Sequence, residues 1–341
     1  MRIKASSFLI FSILFMFLGG VVFAQGIQEQ YNAKVRQLNE VRAKMGAAGI
    51  SKDDYAKLKS QYDQLKSEID TLEKKLKADV AYTKKINDAK LAYNEGNTFL
   101  KKGQYENAIA QYDKSIGLNA NDAKVFYAKG VALMRLRRYS EAIQAYEKAS
   151  QVDPSYDSAF AGLGSAYNAS KKYPQAIAAF KKAIEINPKK YTAMYNLGLV
   201  YTKIKDYKNA VTYFRMATQV KPDYAKAFNS MGVALMGDGK IQQAIMAFQN
   251  ALAVKPKYDE AQYRLAAAFN KAGKYKEALN AAKECLKITR RFKPHANFEA
   301  GVASKALGQK QAAIKYFQAA ARDRRWRKSA EYEIDSIKKG F

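Results

Sequence analysis

The sequence predicts an all-α protein: a solenoid of stacked helical hairpins, preceded by a helical hairpin or coiled coil. Two observations carry that expectation. Between Ala123 and Pro256 the chain repeats every 34 residues without slippage. The ladders are glycine (Gly130, Gly164, Gly198, Gly232), alanine (Ala142, Ala176, Ala210, Ala244) and proline (Pro154, Pro188, Pro222, Pro256). Two more are tyrosine (Tyr139, Tyr173, Tyr207) and a further aromatic (Tyr146, Phe180, Phe214, Phe248). A period of this length marks stacked supersecondary units. Upstream, Tyr55, Leu58, Tyr62, Leu65, Ile69, Leu72 and Leu76 alternate spacings of three and four, the pattern of a heptad seam.

Residues 1–24 read as a secretory leader: Arg2 and Lys4, an apolar run, then Val22-Phe23-Ala24 before Gln25 in the pattern of a cleavage site. The apolar run is near the lower length for spanning a bilayer, so a retained anchor is the alternative. Cys285 is the only cysteine, which leaves no internal disulfide. It stands at the small-residue position of Ala183 and Ala217 and is expected to be a buried structural thiol. An exported chain without disulfides fits a periplasmic or secreted bacterial protein.

Residues 25–86 form a separate helical region. Tyr31, Val35, Leu38 and Met45 give a first stripe, ended by a turn over residues 46–51. Ser51 followed by Asp53 and Asp54 is a helix start, and the helix beyond it carries the seam. The first helix can turn back to cover that seam, or a second chain can cover it. Self-association is favoured, because one helix turned back covers the seam incompletely. No glycine or proline occurs between Gly49 and Gly96, so this helix is expected to run almost directly into the first repeat.

Each repeat reads as two helices. In residues 157–190, Phe160, Leu163 and Tyr167 form one amphipathic face, and Ala176, Ile177, Phe180, Ala183 and Ile184 form another. Pro174 suits the first turn of the second helix and Pro188 stops it. Glycine inside a helix costs about 1 kcal/mol relative to alanine. Gly96, Gly130, Gly164, Gly198, Gly232 and Gly301 are nevertheless kept. The expected reason is close approach of the second helix at the alanine twelve residues on: Ala108, Ala142, Ala176, Ala210, Ala244 and Ala313.

Seven units start near Ala89, Ala123, Asp157, Tyr191, Ala225, Asp259 and Pro294 and fill residues 87–327. Ala120 replaces the proline of the first, Ala266 the glycine of the sixth, and one residue is inserted before the seventh. Residues 328–341 are expected to form a polar-faced helix closing the exposed end, with Trp326 as a packing residue of that cap.

Leu163-Gly164, Tyr167, Ala176, Phe180, Ala183 and Pro188, like Leu197-Gly198, Tyr201, Ala210, Phe214, Ala217 and Pro222, resemble the tetratricopeptide repeat (TPR). The resemblance implies a right-handed superhelix whose first helices line a concave groove for an extended peptide or a helix. Carried over to this chain, the groove positions are Tyr93, Asn94, Asn97 and Lys101, then Tyr127, Val131, Met134 and Arg135, then Asn168. Further along come Tyr195, Asn196, Leu199 and Thr202, then Lys226, Asn229 and Val233, then Tyr263, Arg264 and Asn270. Chaperone-binding members clamp a C-terminal carboxylate with a lysine; Tyr93 stands where that lysine belongs, so no such clamp is expected. The order of leader, coiled coil and repeats is similar to that of the periplasmic coordinator working with the Tol–Pal envelope machinery.

The net charge is +28 at pH 7, two less if Arg2 and Lys4 leave with the leader. Such a charge attracts anionic surfaces over roughly 10 Å at ordinary salt. Anionic lipid, acidic glycan and acidic proteins are the candidates; export argues against nucleic acid, and no nucleic-acid motif occurs. With His295 the only histidine, a triad or metal cluster built on several imidazoles is excluded. No phosphate-cradling glycine loop is present. The expected function is therefore an exported, non-enzymatic scaffold that binds a protein or peptide, self-associates through residues 25–86 and needs no cofactor.

Overall fold

The structure, a computed structural model, describes residues 21–47 and 49–339. Sixteen helices and no strands occur among the described residues. The expected leader lies outside them except for its last four positions. The chain divides into two compact units at Val125–Phe126.

In the first unit, α1 (Val21–Met45) folds back on α2 (Lys52–Lys101), and Lys34 pairs with Glu68 at 2.7 Å. Of the two arrangements open to the seam, the structure contains the hairpin. Ile69 is the buried centre; Leu58, Tyr62, Leu65, Leu72 and Leu76 are half-buried and Tyr55 is 46% exposed. Ser51 caps α2, its Oγ accepting from the Asp54 N–H at 3.1 Å. α2 continues unbroken for 50 residues. Its C-terminal turns are the first helix of the first repeat, so no break in the backbone marks residues 86–87. They pack on α3 (Tyr105–Leu118) through Ala89, Ala92 and Gly96.

The helix α4 (Ala123–Arg135) crosses the division, and the second unit then runs in hairpins. α5 (Tyr139–Val152) is followed by α6 (Asp157–Ala169) with α7 (Tyr173–Ile186), and α8 (Tyr191–Lys203) with α9 (Tyr207–Val220). Next come α10 (Ala225–Gly237) with α11 (Ile241–Val254), and α12 (Asp259–Lys271) with α13 (Tyr275–Ile288). α14 (Lys293–Ala306) and α15 (Lys310–Ala321) precede a final helix, α16 (Arg327–Lys338). The core is one run of alanines and rings, with Phe180, Phe214 and Phe248 fully or almost fully buried.

The ladder glycines do not serve the alanines as expected. A Cβ placed on Gly164 would come within 2.7 Å of the Phe180 ring, sixteen residues on, and Gly198 meets Phe214 at the same distance. Gly130 faces Tyr146, Gly232 faces Phe248 and Gly301 faces Phe317 in the same way, and Gly96 faces Tyr112 within the first unit. The ladder alanines are buried too, but it is the ring that needs the missing methyl. In the sixth repeat both partners change together: Ala266 stands for the glycine and Ala282 for the ring, each fully buried.

Each turn between the two helices of a unit uses one left-handed residue, where the N–H of the next residue reaches back to the helix. Thus Lys172 N–H donates to Tyr167 C=O at 2.8 Å, as Gln104 does to Phe99 and Asp206 to Tyr201. These bonds satisfy carbonyls that the helix end would leave open. The left-handed position holds Gly103, Gly239, Gly273 and Gly308, but also Arg137, Lys171 and Lys205 at φ 60–62°.

α16 closes the stack by packing Ala330, Ile334 and Ile337 onto Phe317 and Ala320. Lys305 reaches across to Glu333 at 2.8 Å and Ser336 at 2.9 Å.

Candidate functional site

Within the second unit, first helices touch first helices across repeats: α6 with α8, α8 with α10, α10 with α12 and α12 with α14. Second helices have no comparable contact with one another. The first-helix side is therefore the inner side of this stack, and it is where the sequence places a groove.

Several of the candidate residues prove to be bonded inside the stack. Lys203 donates to Asn168 at 2.9 Å, and the Tyr195 hydroxyl lies 3.4 Å from Ser230. Asn229 is 4% exposed and donates to the Tyr258 hydroxyl at 3.4 Å. Asn270 donates to both the backbone and the carboxylate of Glu299, at 3.0 and 2.8 Å. Three of these pairings join one repeat to the next, and the fourth ties Asn229 to Tyr258, the residue that precedes the next first helix. Burial pushes the Glu299 carboxyl above the ordinary carboxylate range, against the opposing pull of the Asn270 amide. Thr202 is turned inward, its hydroxyl donating to Gly198 C=O at 2.8 Å.

The tyrosines are largely packing rings. Tyr127 lies 5.6 Å from Tyr146 and 5.4 Å from Tyr156, and burial raises its phenol above the usual value. Tyr195 meets Tyr224 at 5.1 Å. Tyr263 meets Phe292 at 4.8 Å and His295 at 4.9 Å, and burial raises its phenol as well. Arg264 covers that ring at 5.4 Å while donating to Glu260 at 2.9 Å. The side chains left to face a ligand in this unit are Arg135 and Lys226, both exposed, and Val131, Met134, Asn196, Leu199 and Val233, partly exposed. In the first unit, Tyr93 packs 6.0 Å from Tyr112 and Asn97 accepts from the Tyr112 hydroxyl at 2.8 Å. Asn94 and Lys101 remain exposed on α2.

Among the described residues no group of three or more His, Cys, Asp or Glu side chains could hold a metal ion. Cys285 is fully buried, its thiol pushed up to about 12 by burial and placed 3.5 Å from Asp259 C=O. A depression lined by Gln30, Lys34, Ser67, Glu68, Thr71 and Leu72 lies between α1 and α2. It is an open dip beside an ion pair. No helix among the described residues is long and apolar enough to cross a membrane.

Sequence reasoning missed two features of this face. The repeat-to-repeat polar bonds carry no common residue type, so no ladder announces them. The left-handed turn position did leave a signal, since Gly103, Gly239 and Gly273 are spaced by multiples of 34.

Family profiles described as tetratricopeptide repeat match residues 93–159 and 191–224, and one described as TPR repeat matches 164–205. A profile for the TT21 fifth ARM repeats domain matches 234–337. No curated protein matches the chain. Among solved structures, MamA is 27% identical, over 50% of this chain and 93% of its own, with a TM-score of 0.46. YrrB, described as a TPR protein with an unusual peptide-binding site, is 23% identical over 54% and 95%, at 0.47. The C-terminal part of a TPR protein from Cytophaga hutchinsonii is 16% identical over 71% and 99%, at 0.60, a likeness of fold.

Proposed function

The chain belongs to the tetratricopeptide-repeat family, and from that premise we propose that it is a protein-interaction scaffold holding a partner against its first helices. The observation that carries this reading is the division of the inner face into bonded and unbonded side chains. Asn168, Tyr195, Asn229 and Asn270 lock repeats together, while Arg135, Asn196 and Lys226 keep their polar groups free beside Val131 and Leu199. A rigid row with amides, cations and aliphatic patches at intervals suits an extended polypeptide: amides pair its peptide groups and apolar patches take its side chains. Photo-crosslinking tests it. A crosslinker at Asn196 is expected to trap a protein that the same group at Gln249, exposed on α11, does not; the same products from both positions would overturn the reading.

Export belongs to the same reading, supported by the leader pattern of residues 1–24. Recovery of the chain in the envelope or external fraction, beginning at Gln25, is the expected outcome. Self-association through residues 25–86 is supported by the half-buried seam and by Tyr55, 46% exposed. Sedimentation of the chain with and without those residues checks it; an identical monomeric mass in both removes it.

The charge favours a second reading, retention at an anionic lipid or glycan surface. Binding of that kind falls steeply between low and moderate salt, whereas capture on the inner face persists.

A further inference from the structure

The chain has fourteen arginines among 59 basic residues, and they are unevenly placed. Six of them, Arg290, Arg291, Arg322, Arg324, Arg325 and Arg327, fall in two short loops or the first turns of the helices that follow, together with Lys293 and Lys328. One loop joins α13 to α14 and the other joins α15 to α16. They are separate in sequence, but a chain of rings ties them together. Phe292 lies 5.4 Å from His295, His295 lies 5.1 Å from Trp326, and Trp326 lies 4.5 Å from Phe298. The rings are half-buried or buried, and all eight cations are exposed.

Three of the arginines have local work. Arg325 grips Asp323 through Nε at 3.1 Å and Nη2 at 2.9 Å, which fixes the second loop. Arg291 covers the Phe292 ring at 4.9 Å, and Arg327 Nε reaches Ala321 C=O at 3.4 Å. Asp323 is the only acid in either loop and is already engaged. The side chains of Arg290, Arg322 and Arg324 make no hydrogen bond or ion pair among the described residues, and nothing in the fold accounts for them.

We infer that this ring-braced arginine patch at the end of the stack is a second docking site, and that it takes an acidic, carboxylate-rich segment of a partner protein. The choice of residue, taken with the rings beneath it, points to the partner. Attraction to a lipid surface or to a polyanion's backbone draws on lysine and arginine about equally, and would leave no reason to concentrate arginine here in a chain otherwise rich in lysine. Guanidinium groups differ in offering a planar fork that matches a carboxylate or a phosphate through two parallel bonds and in being more weakly hydrated. Arginine beside tryptophan and phenylalanine on a rigid base is also the composition that concentrates binding energy in protein interfaces. The patch lies on loops rather than on the first-helix face, so it stands or falls independently of the groove.

The test uses the full chain and fluorescein-labelled decaglutamate at physiological salt. The triple variant Arg290→Lys, Arg322→Lys, Arg324→Lys keeps the net charge and alters only exposed side chains. It is expected to weaken decaglutamate binding at least tenfold with an unchanged melting temperature. The control triple Arg36→Lys, Arg42→Lys, Arg215→Lys is expected to leave affinity within twofold. Equal affinity of the patch variant and the parent chain overturns the proposal, because charge alone would then suffice. Loss of binding to phosphatidylglycerol vesicles with decaglutamate unaffected overturns it in favour of a lipid surface.

Discussion

Gly198 and Phe214 occupy one space: a methyl group on the glycine would stand 2.7 Å from the ring, well inside contact distance. Phe214 is fully buried and hemmed by its neighbours, so it cannot retreat without displacing the core. Gly198→Ala is therefore expected to destabilise by about 1–3 kcal/mol, outweighing the gain of about 1 kcal/mol that alanine brings to a helix. Adding Phe214→Ala is expected to make Gly198→Ala harmless in that background, as Ala266 with Ala282 already is in the sixth repeat. Urea denaturation of the four variants checks the coupling; additive losses would refute it.

Lys171 and Lys205 sit at φ 60 and 62°, where four equivalent turns use glycine. A side chain in that region strains the backbone, and glycine relieves it at some cost in unfolded-state entropy. Lys171→Gly and Lys205→Gly are each expected to stabilise by about 0.5–1 kcal/mol. Lys182→Gly, in the middle of α7, is expected to lose about 1 kcal/mol. Melting curves of the three variants decide the sign.

The surroundings of His295 favour its neutral form. Burial against Tyr263, Phe292 and Trp326 lowers its pKa first, and Arg325 and Arg264 add to that against the opposing Asp323. The folded value thus lies below the unfolded value of about 6.5. As pH falls through that value the unfolded chain takes up a proton that the folded chain refuses, so stability declines until the folded value is passed. His295→Phe is expected to hold its melting temperature better than the parent between pH 7.5 and pH 5. Parallel slopes for the two proteins would refute this.

The candidate inner-face residues should separate by stability. Asn270→Leu removes the donor to the half-buried Glu299 carboxylate, and stranding such a group costs about 1–3 kcal/mol. Asn196→Ala loses no intramolecular bond and is expected to change stability by less than about 0.5 kcal/mol. Thermal melts of both variants, set beside partner capture, distinguish residues that join repeats from residues that meet a ligand.

Asn196 and Asn229 show why the site was less legible than the fold. In sequence both are amides at groove-type positions of neighbouring repeats. The structure leaves one free and buries the other at 4% exposure against Tyr258. Asn229 stands one residue short of a full period from Asn196, at the register position of Tyr195, and there it meets Tyr258. Tyr127 and Tyr263 pack their rings on Tyr156 and Phe292, contacts between residues about 30 apart that no local spacing announces.

The sequence by itself determined the helices, their turns and the stacking of hairpins, because helix periodicity, glycine and proline act within a few residues and recur every 34. Only the tertiary structure decided that α1 folds back along α2, that each ladder glycine answers a ring rather than an alanine, and that two arginine loops meet on one aromatic base. Those outcomes depend on contacts between residues remote in the chain. Which surface finds which neighbour is settled by shape and burial, and no local spacing encodes it.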